Sequence, residues 1–325
     1  MSGPLHQPAM PQQVLEYLDI CPSGVYADMT LGQGGHAELI LQHLGPEGFL
    51  LGLDRDPTAL SQVEQRLAPY AGRFRLMNMR FSLLEEAMAE AGIDRLDGAL
   101  MDTGLSRDQL LDQSRGFSFD SAAFSMKMGP NEPGPDVAEI VNTYSAAQLH
   151  QVFFVVGKGR EARRATRAIL SYREGRKPIE STQELAKIIA AAVAKPTDWG
   201  KNRHPATPWL MALRIAVNDE LGEIDRGLQA AVRSLRPGTG RLVVLTWAGH
   251  EHGLVRQTLR SLQHPCTCPP ALPCICHKQP LVKTLTKKPL AAEEEEIHRN
   301  PAVRTCRLQA ALVLATDETQ KKDRP

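Results

Sequence analysis

Three aspartates each close an apolar, strand-like run: Asp28 ends GVYAD, Asp54 ends GFLLGLD and Asp102 ends LDGALMD. Carboxylates placed this way can accept hydrogen bonds from hydroxyls or amines, or pair with a cation. Directly after Asp28 comes MTLGQGGH, with glycines at 32, 34 and 35. Glycines there let the backbone turn sharply and approach a ligand. Asp54 follows about 20 residues beyond Gly32, the distance at which an acid can accept from ribose hydroxyls. A dinucleotide site wants Gly-x-Gly-x-x-Gly, whereas this turn reads Gly-x-Gly-Gly-His. Asp28 would also repel a pyrophosphate and attract a sulfonium or an ammonium. S-adenosyl-L-methionine is therefore the expected cofactor. A nicotinamide dinucleotide is the disfavoured alternative, and a plain strand-to-helix turn the third.

Three acids can share one ligand only if their strands lie side by side. Strand patterns at 24–30, 48–54, 73–79 and 96–102 alternate with helical patterns at 37–44, 57–67 and 82–91, the last with Ser82 as its cap. Such alternation predicts an α/β fold, a doubly wound Rossmann-like parallel sheet with helices on both faces. After Asp102 the alternation stops. Residues 103–135 are rich in Gly, Ser, Asp and Pro, and helical patterns follow at 136–142, 146–154, 161–173 and 182–194. A Pro-containing linker at 196–208 precedes one long helix, 209–235, and the strand RLVVLTW, 241–247. Two further strands, 281–287 and 307–314, would pair as an antiparallel end. The expected organisation is a sheet domain in two parts, 1–107 and 209–315. Between them lies an inserted helical domain, 108–208, and a disordered tail, 316–325, closes the chain.

The 325 residues are 42% hydrophobic with a net charge of +1, ordinary for a globular protein with a core. No apolar run is long enough to span a bilayer, and no basic-then-apolar leader opens the chain. A cytoplasmic protein with no membrane partner is expected. A charge of +1 does not announce a nucleic-acid partner, so any such partner must meet a local patch. Between Lys158 and Lys177, Arg160, Arg163, Arg164 and Arg167 recur at helical i, i+3, i+4, i+7 spacing and would form one face for RNA phosphates. Four of the six cysteines crowd into CTCPPALPCICH, 266–277. They could hold zinc, yet Cys-x-Cys is tighter than the usual spacing. Reduced thiols are favoured, and no metal is expected.

The run from Gly24 to His36 with LDRDP, 53–57, resembles the MraW/RsmH family of small-subunit ribosomal RNA (cytosine-N4)-methyltransferases. So do GFSF (116–119), HPAT (204–207), ALRIAVNDEL (212–221), CTCPP (266–270) and EEEIHRNPAVR (294–304). The likeness runs through nearly the whole chain in the same order. It implies an S-adenosylmethionine-dependent methyltransferase acting on 16S ribosomal RNA in the small ribosomal subunit, with the insertion recognising substrate. It also implies cofactor contacts from Gly34, Gly35, His36, Asp54, Phe81, Asp102 and Gln109. A homodimer stays open.

The fifth-strand segment departs from the family. Phe-His-Ser-Leu-Glu-Asp-Arg there is WAGHEHG here, 247–253, so only Glu251 survives among its charged positions. A cytosine amine is a poor nucleophile, because its lone pair is delocalised into the ring. Acceptors for its N–H groups would restore electron density, which makes Asp102 and Glu251 the catalytic candidates. Phe117, Phe119 and Trp247 could stack an unstacked base, although core packing is as reasonable for any one of them. Two other functions remain: a weakened paralogue that acts in RNA binding or ribosome assembly, and a methyltransferase for another RNA base.

Overall fold

The computed structural model describes residues 7–130, 132–156, 159–175, 177–194, 204–269 and 275–315. The expected tail at 316–325 and most of the expected linker lie outside that set. The chain divides into two compact units, Met1–Gly104 with Leu221–Pro325, and Leu105–Glu220.

Helix α1, Pro11–Leu18, opens the sheet unit and buries Val14 and Leu18. Then come β1 (Val25–Asp28), α2 (Gly35–His43), β2 (Phe49–Asp54), α3 (Pro57–Leu67), β3 (Phe74–Asn78), α4 (Leu84–Ala91) and β4 (Gly98–Asp102). The helical unit supplies α5 (Arg107–Leu111), α6 (Val137–Thr143), α7 (Ala146–Phe154), α8 (Gly159–Gly175), α9 (Thr182–Val193) and α10 (Thr207–Asn218). The sheet unit resumes with α11 (Glu220–Ser234), β5 (Arg241–Thr246), α12 (Gly249–Gln263), β6 (Val282–Thr284), β7 (Leu290–Ala291), α13 (Glu294–Arg299) and β8 (Arg307–Val313).

The strand order is β3-β2-β1-β4-β5-β8-β6, with β7 also paired to β8. The first five strands are parallel, and β8 runs antiparallel to β5 and β6. Each strand feeds both faces of the sheet. Tyr26, Leu50, Leu100 and Val243 pack into one apolar layer, and their chain neighbours Ala27, Leu51, Ala99 and Val244 into the other. That period of two, apolar on both sides, is what helices on both faces require. The chain leaves β1 toward β2 on one side and reaches β4 on the other. Ligands of open α/β sheets bind at such a reversal, beyond the carboxyl ends of the strands.

The helical unit has its own core, in which Phe153 meets Trp209 edge to face at 5.5 Å. Side-chain caps start its helices: Ser145 with Gln148 for α7, Ser181 for α9 and Asp136 for α6.

Three local expectations need correction. The single helix at 209–235 is two helices, broken at Asp219, whose φ of 48° and ψ of 39° are left-handed. Trp209, Leu213 and Val217 bury in the helical core, and Arg214 pairs with Glu220 at 2.7 Å. Residues 209–220 therefore belong to the helical unit, which spans 105–220 where 108–208 was expected. Ser82 is not a cap: α4 starts at Leu84 after a tight turn over Phe81–Leu83, with no side-chain cap. The strand expected at 281–287 is only three residues long, Val282–Thr284. No helix among the described residues is long and apolar enough to cross a membrane.

Candidate active site

β1 lies between β2 and β4, so Asp28, Asp54 and Asp102 end three adjacent strands. Asp28 is fully buried. Its Oδ1 accepts from the Thr30 amide at 3.1 Å, while Oδ2 meets no hydrogen-bond partner among the described residues. Burial pushes its pKa to about 7 against the pull of the Thr30 amide, and the charges of Asp102 and Asp54 add to the rise.

The glycine turn bends over these strand ends. Gly32 has φ +50° and Gly34 has φ +74°, conformations that favour glycine. A side chain at Gly32 would meet nothing within 4 Å, so the outer side of the turn is open. One at Gly34 would come 2.9 Å from Val63 of α3, which seats the turn against that helix. Gly35 and His36 begin α2, and His36 is buried.

Asp54 is oriented by this turn. Its Oδ2 accepts from the Gly32 amide and its Oδ1 from the Asp56 amide, each at 2.9 Å. Burial raises its pKa to about 6 despite both amides. Asp102 is held from two sides. Its amide donates to Thr30 Oγ1 at 2.6 Å, and its Oδ1 accepts from the Trp247 indole N–H at 2.8 Å. Its Oδ2 lies 3.8 Å from His36 Nε2. Burial raises the Asp102 pKa to about 7; the indole bond opposes that rise and the charge of Glu251 assists it.

The structure thus gathers Gly34, Gly35, His36, Asp54 and Asp102, together with Asp28. It adds two residues in roles that the sequence did not suggest. Thr30 ties the turn to β4, and its signal was a hydroxyl two residues after a strand-ending acid. Trp247, expected as a stacking platform, spends its indole N–H on Asp102.

Other candidates are used differently. Glu251 is buried, and its Oε2 accepts from the amides of Trp247 at 2.7 Å and Ala248 at 3.0 Å. It caps α12, a helix that the pattern WAGHEHG does not announce. Its Oε2 is therefore engaged as an acceptor for the backbone at the start of α12. The Phe81 ring packs on α11, where a side chain at Gly227 would come 2.5 Å from Phe81 Cδ2. Its ring is partly buried, packed against the sheet unit's core.

Gln109 lies in the helical unit, in a capping box with Ser106: it accepts from the Ser106 amide at 3.1 Å and donates its own amide to Ser106 Oγ at 3.2 Å. Phe117 is buried, whereas Phe119 is 40% exposed and stacks on His204 at 4.9 Å with planes 8° apart. On α8, Arg160, Arg163, Arg164 and Arg167 are exposed, while Ala162, Ala165, Thr166 and Ile169 are buried. Arg173, part of the same basic stretch, instead donates to the Val141 and Tyr144 carbonyls. Lys158 and Arg176 lie outside the described residues.

This geometry suits a ligand that carries a sugar and a positive charge. Each Asp54 oxygen retains a lone pair for a ribose hydroxyl. The Asp28 oxygen without a partner and two further acids of raised pKa would all be relieved by a nearby cation. S-adenosylmethionine meets both demands, so these residues fit it.

Residues 4–313 match the model of the MraW methylase family. The chain is 43% identical over 313 residues to ribosomal RNA small subunit methyltransferase H of Geotalea uraniireducens, an alignment covering 96% of this chain and 99% of that one. It is 43% identical to the protein of the same name from Geobacter sulfurreducens, covering 94% and 98%. For the one from Symbiobacterium thermophilum the identity is 40%, covering 97% and 99%.

Proposed function

Because the chain belongs to the MraW methylase family, we propose that it methylates the N4 amine of a cytosine in 16S ribosomal RNA, in the cytoplasm, using S-adenosylmethionine. The observation that carries this reading is the trio of strand-end carboxylates under an open glycine turn. When bound, the cofactor supplies an electrophilic methyl group on a sulfonium, open to in-line attack.

The chain's own residues do the rest. Asp54 accepts from the ribose hydroxyls, its orientation fixed by the Gly32 and Asp56 amides. Asp28, behind the turn, favours a cation over a phosphate there. Asp102 keeps Oδ1 on the indole of Trp247 and offers Oδ2 to the acceptor amine. A carboxylate with pKa about 7 can accept an amine N–H and then take the proton that the methylated nitrogen sheds. With Glu251 engaged at the start of α12, this falls to Asp102 rather than to a pair of acids.

The exposed arginine face of α8 is proposed to grip RNA phosphates. Phe119, exposed and stacked on His204, is proposed to take an unstacked base.

Mass spectrometry of ribosomal RNA from cells with and without the gene tests the function. N4-methylcytidine should vanish in the deletion and return with the wild-type gene but not with Asp102→Asn. Unchanged N4-methylcytidine in the deletion would instead favour a ribosome-assembly role, for which the capping use of Glu251 is the motive. Reversing Arg163, Arg164 and Arg167 to Glu should weaken RNA binding and flatten its salt dependence, by up to about 0.9 in log–log slope for each phosphate no longer neutralised. Cofactor affinity should stay as it was. An unaltered salt slope would remove α8 from the RNA surface.

A further inference from the structure

A second cluster of ligating side chains sits in the loop that joins α12 to β6. The sulfurs of Cys266, Cys268 and Cys276 all lie within 4.8 Å of one another. Thiolates bound to zinc at about 2.3 Å in a tetrahedron stand roughly 3.8 Å apart, so small side-chain rotations would close this trio on an ion. Cys266 and Cys268 come from the arm that leaves α12, and Cys276 from the arm that returns to β6. The base of the loop is tied: the Leu281 amide donates to the Leu262 carbonyl at 2.9 Å, and the Thr284 amide to Gln263 Oε1 at 2.7 Å. Ile275, at the start of the returning arm, is 81% exposed, so that side chain does not hold the two arms together.

The Cys-x-Cys spacing by itself argues for plain thiols. The third sulfur, contributed from across the loop, changes that reading. Three sulfurs make a soft donor set that selects zinc over calcium or magnesium. Cys266 is exposed and the other two are partly shielded, so an ion can enter from solvent. Cys274 lies outside the described residues.

We propose that Cys266, Cys268 and Cys276 form a structural zinc site that clasps the two arms of the α12–β6 loop. The fourth position is filled by solvent or by a further side chain. As each zinc–sulfur bond forms, the thiol gives up its proton to water, and no oxidant or reductant is involved. This site is independent of the methyl-transfer reading.

The full-length, untagged chain, kept reduced and saturated with zinc before desalting, should retain about one zinc ion per chain by elemental analysis. Cobalt(II) in its place should give thiolate-to-metal charge-transfer bands and tetrahedral d–d bands. A Cys268→Ser, Cys276→Ser double variant should lose both signals while S-adenosylmethionine binding persists. Should that variant misfold, the wild-type cobalt spectrum decides alone. Substoichiometric zinc, cobalt bound without thiolate bands, or a folded double variant that keeps its zinc would each overturn the site.

Discussion

The glycine turn and the fifth-strand segment meet at Asp102, yet they relate to the family pattern in opposite ways. The turn, from Asp28 to His36, resembles that pattern, with Gly34, Gly35 and His36 as expected. Its groups are locked by backbone bonds: Thr30 to Asp102, Gly32 to Asp54. The fifth-strand segment, Trp247 to Gly253, which runs from the end of β5 into the first turn of α12, has exchanged most of its polar side chains. Of what remains, Glu251 holds the backbone and Trp247 holds Asp102. The difference teaches that acids such as Asp28 and Asp54 are tied to their turn, because each is oriented by amides that need it in return. The segment could be rewritten so long as something still held Asp102 and still capped α12.

The sharpest way to break this contrast is Asp54→Ala. It removes the ribose acceptor and leaves the Gly32 and Asp56 amides without their acceptor, at about 1–3 kcal/mol each where buried. S-adenosylmethionine affinity by calorimetry should fall on the order of 100-fold, about 2.7 kcal/mol. A fall of only two-fold would mean that the turn does not depend on that acid.

A smaller effect comes from pH. With pKa values of about 7, 6 and 7, Asp28, Asp54 and Asp102 are largely protonated at pH 5.5 in the unliganded fold. A cation favours their ionised forms, so binding should release protons and strengthen as pH rises from 5.5 to 7.5. Lowering one of these pKa values by about 1 is worth about 1.4 kcal/mol, so an affinity change of about ten-fold is expected over that range. The same raised values act on the unliganded fold with the opposite sign. Their contribution to stability is complete below the unfolded pKa of about 4 and is lost as pH climbs through 6 to 7. Calorimetry in buffers of different ionisation enthalpy would expose the protons. Proton uptake, or a flat profile, would contradict this electrostatic account.

The mildest test lies in the fifth-strand segment. Glu251→Ala removes a cap from α12 and should cost about 1 kcal/mol, read as a lower thermal midpoint. Methyl transfer per folded molecule should hardly change. A large loss of turnover with cofactor affinity and stability intact would return Glu251 to the chemistry and erase the distinction.

Much of this was legible in the sequence because it rests on local patterning. The alternation of strands and helices through Asp102, and the bounds of α3 and α7, follow from apolar period, with Pro57 opening α3. The glycine turn and its acids followed from residue type alone. What was not legible depended on tertiary contact. The break at Asp219 comes from a left-handed residue that is not glycine, amid helix formers on both sides. Glu251 looked like a reactive carboxylate, because a cap on a backbone not yet placed cannot be seen. The Trp247–Asp102 bond joins residues 145 positions apart. No window of sequence contains it.

That separation also bears on how the molecule is made. Thr103 at the end of β4 bonds to Leu245 of β5, 142 positions later. At about 5–20 residues per second, a ribosome needs roughly 7–30 s to make the intervening chain. The helical unit is contiguous and is complete before β5 emerges. Through that interval β4 has an unpaired edge, the kind of surface on which nascent chains aggregate. The enzyme's yield should therefore respond to translation speed and to chaperones that shield a strand edge, more than a protein of the same size with sequential strand pairing would.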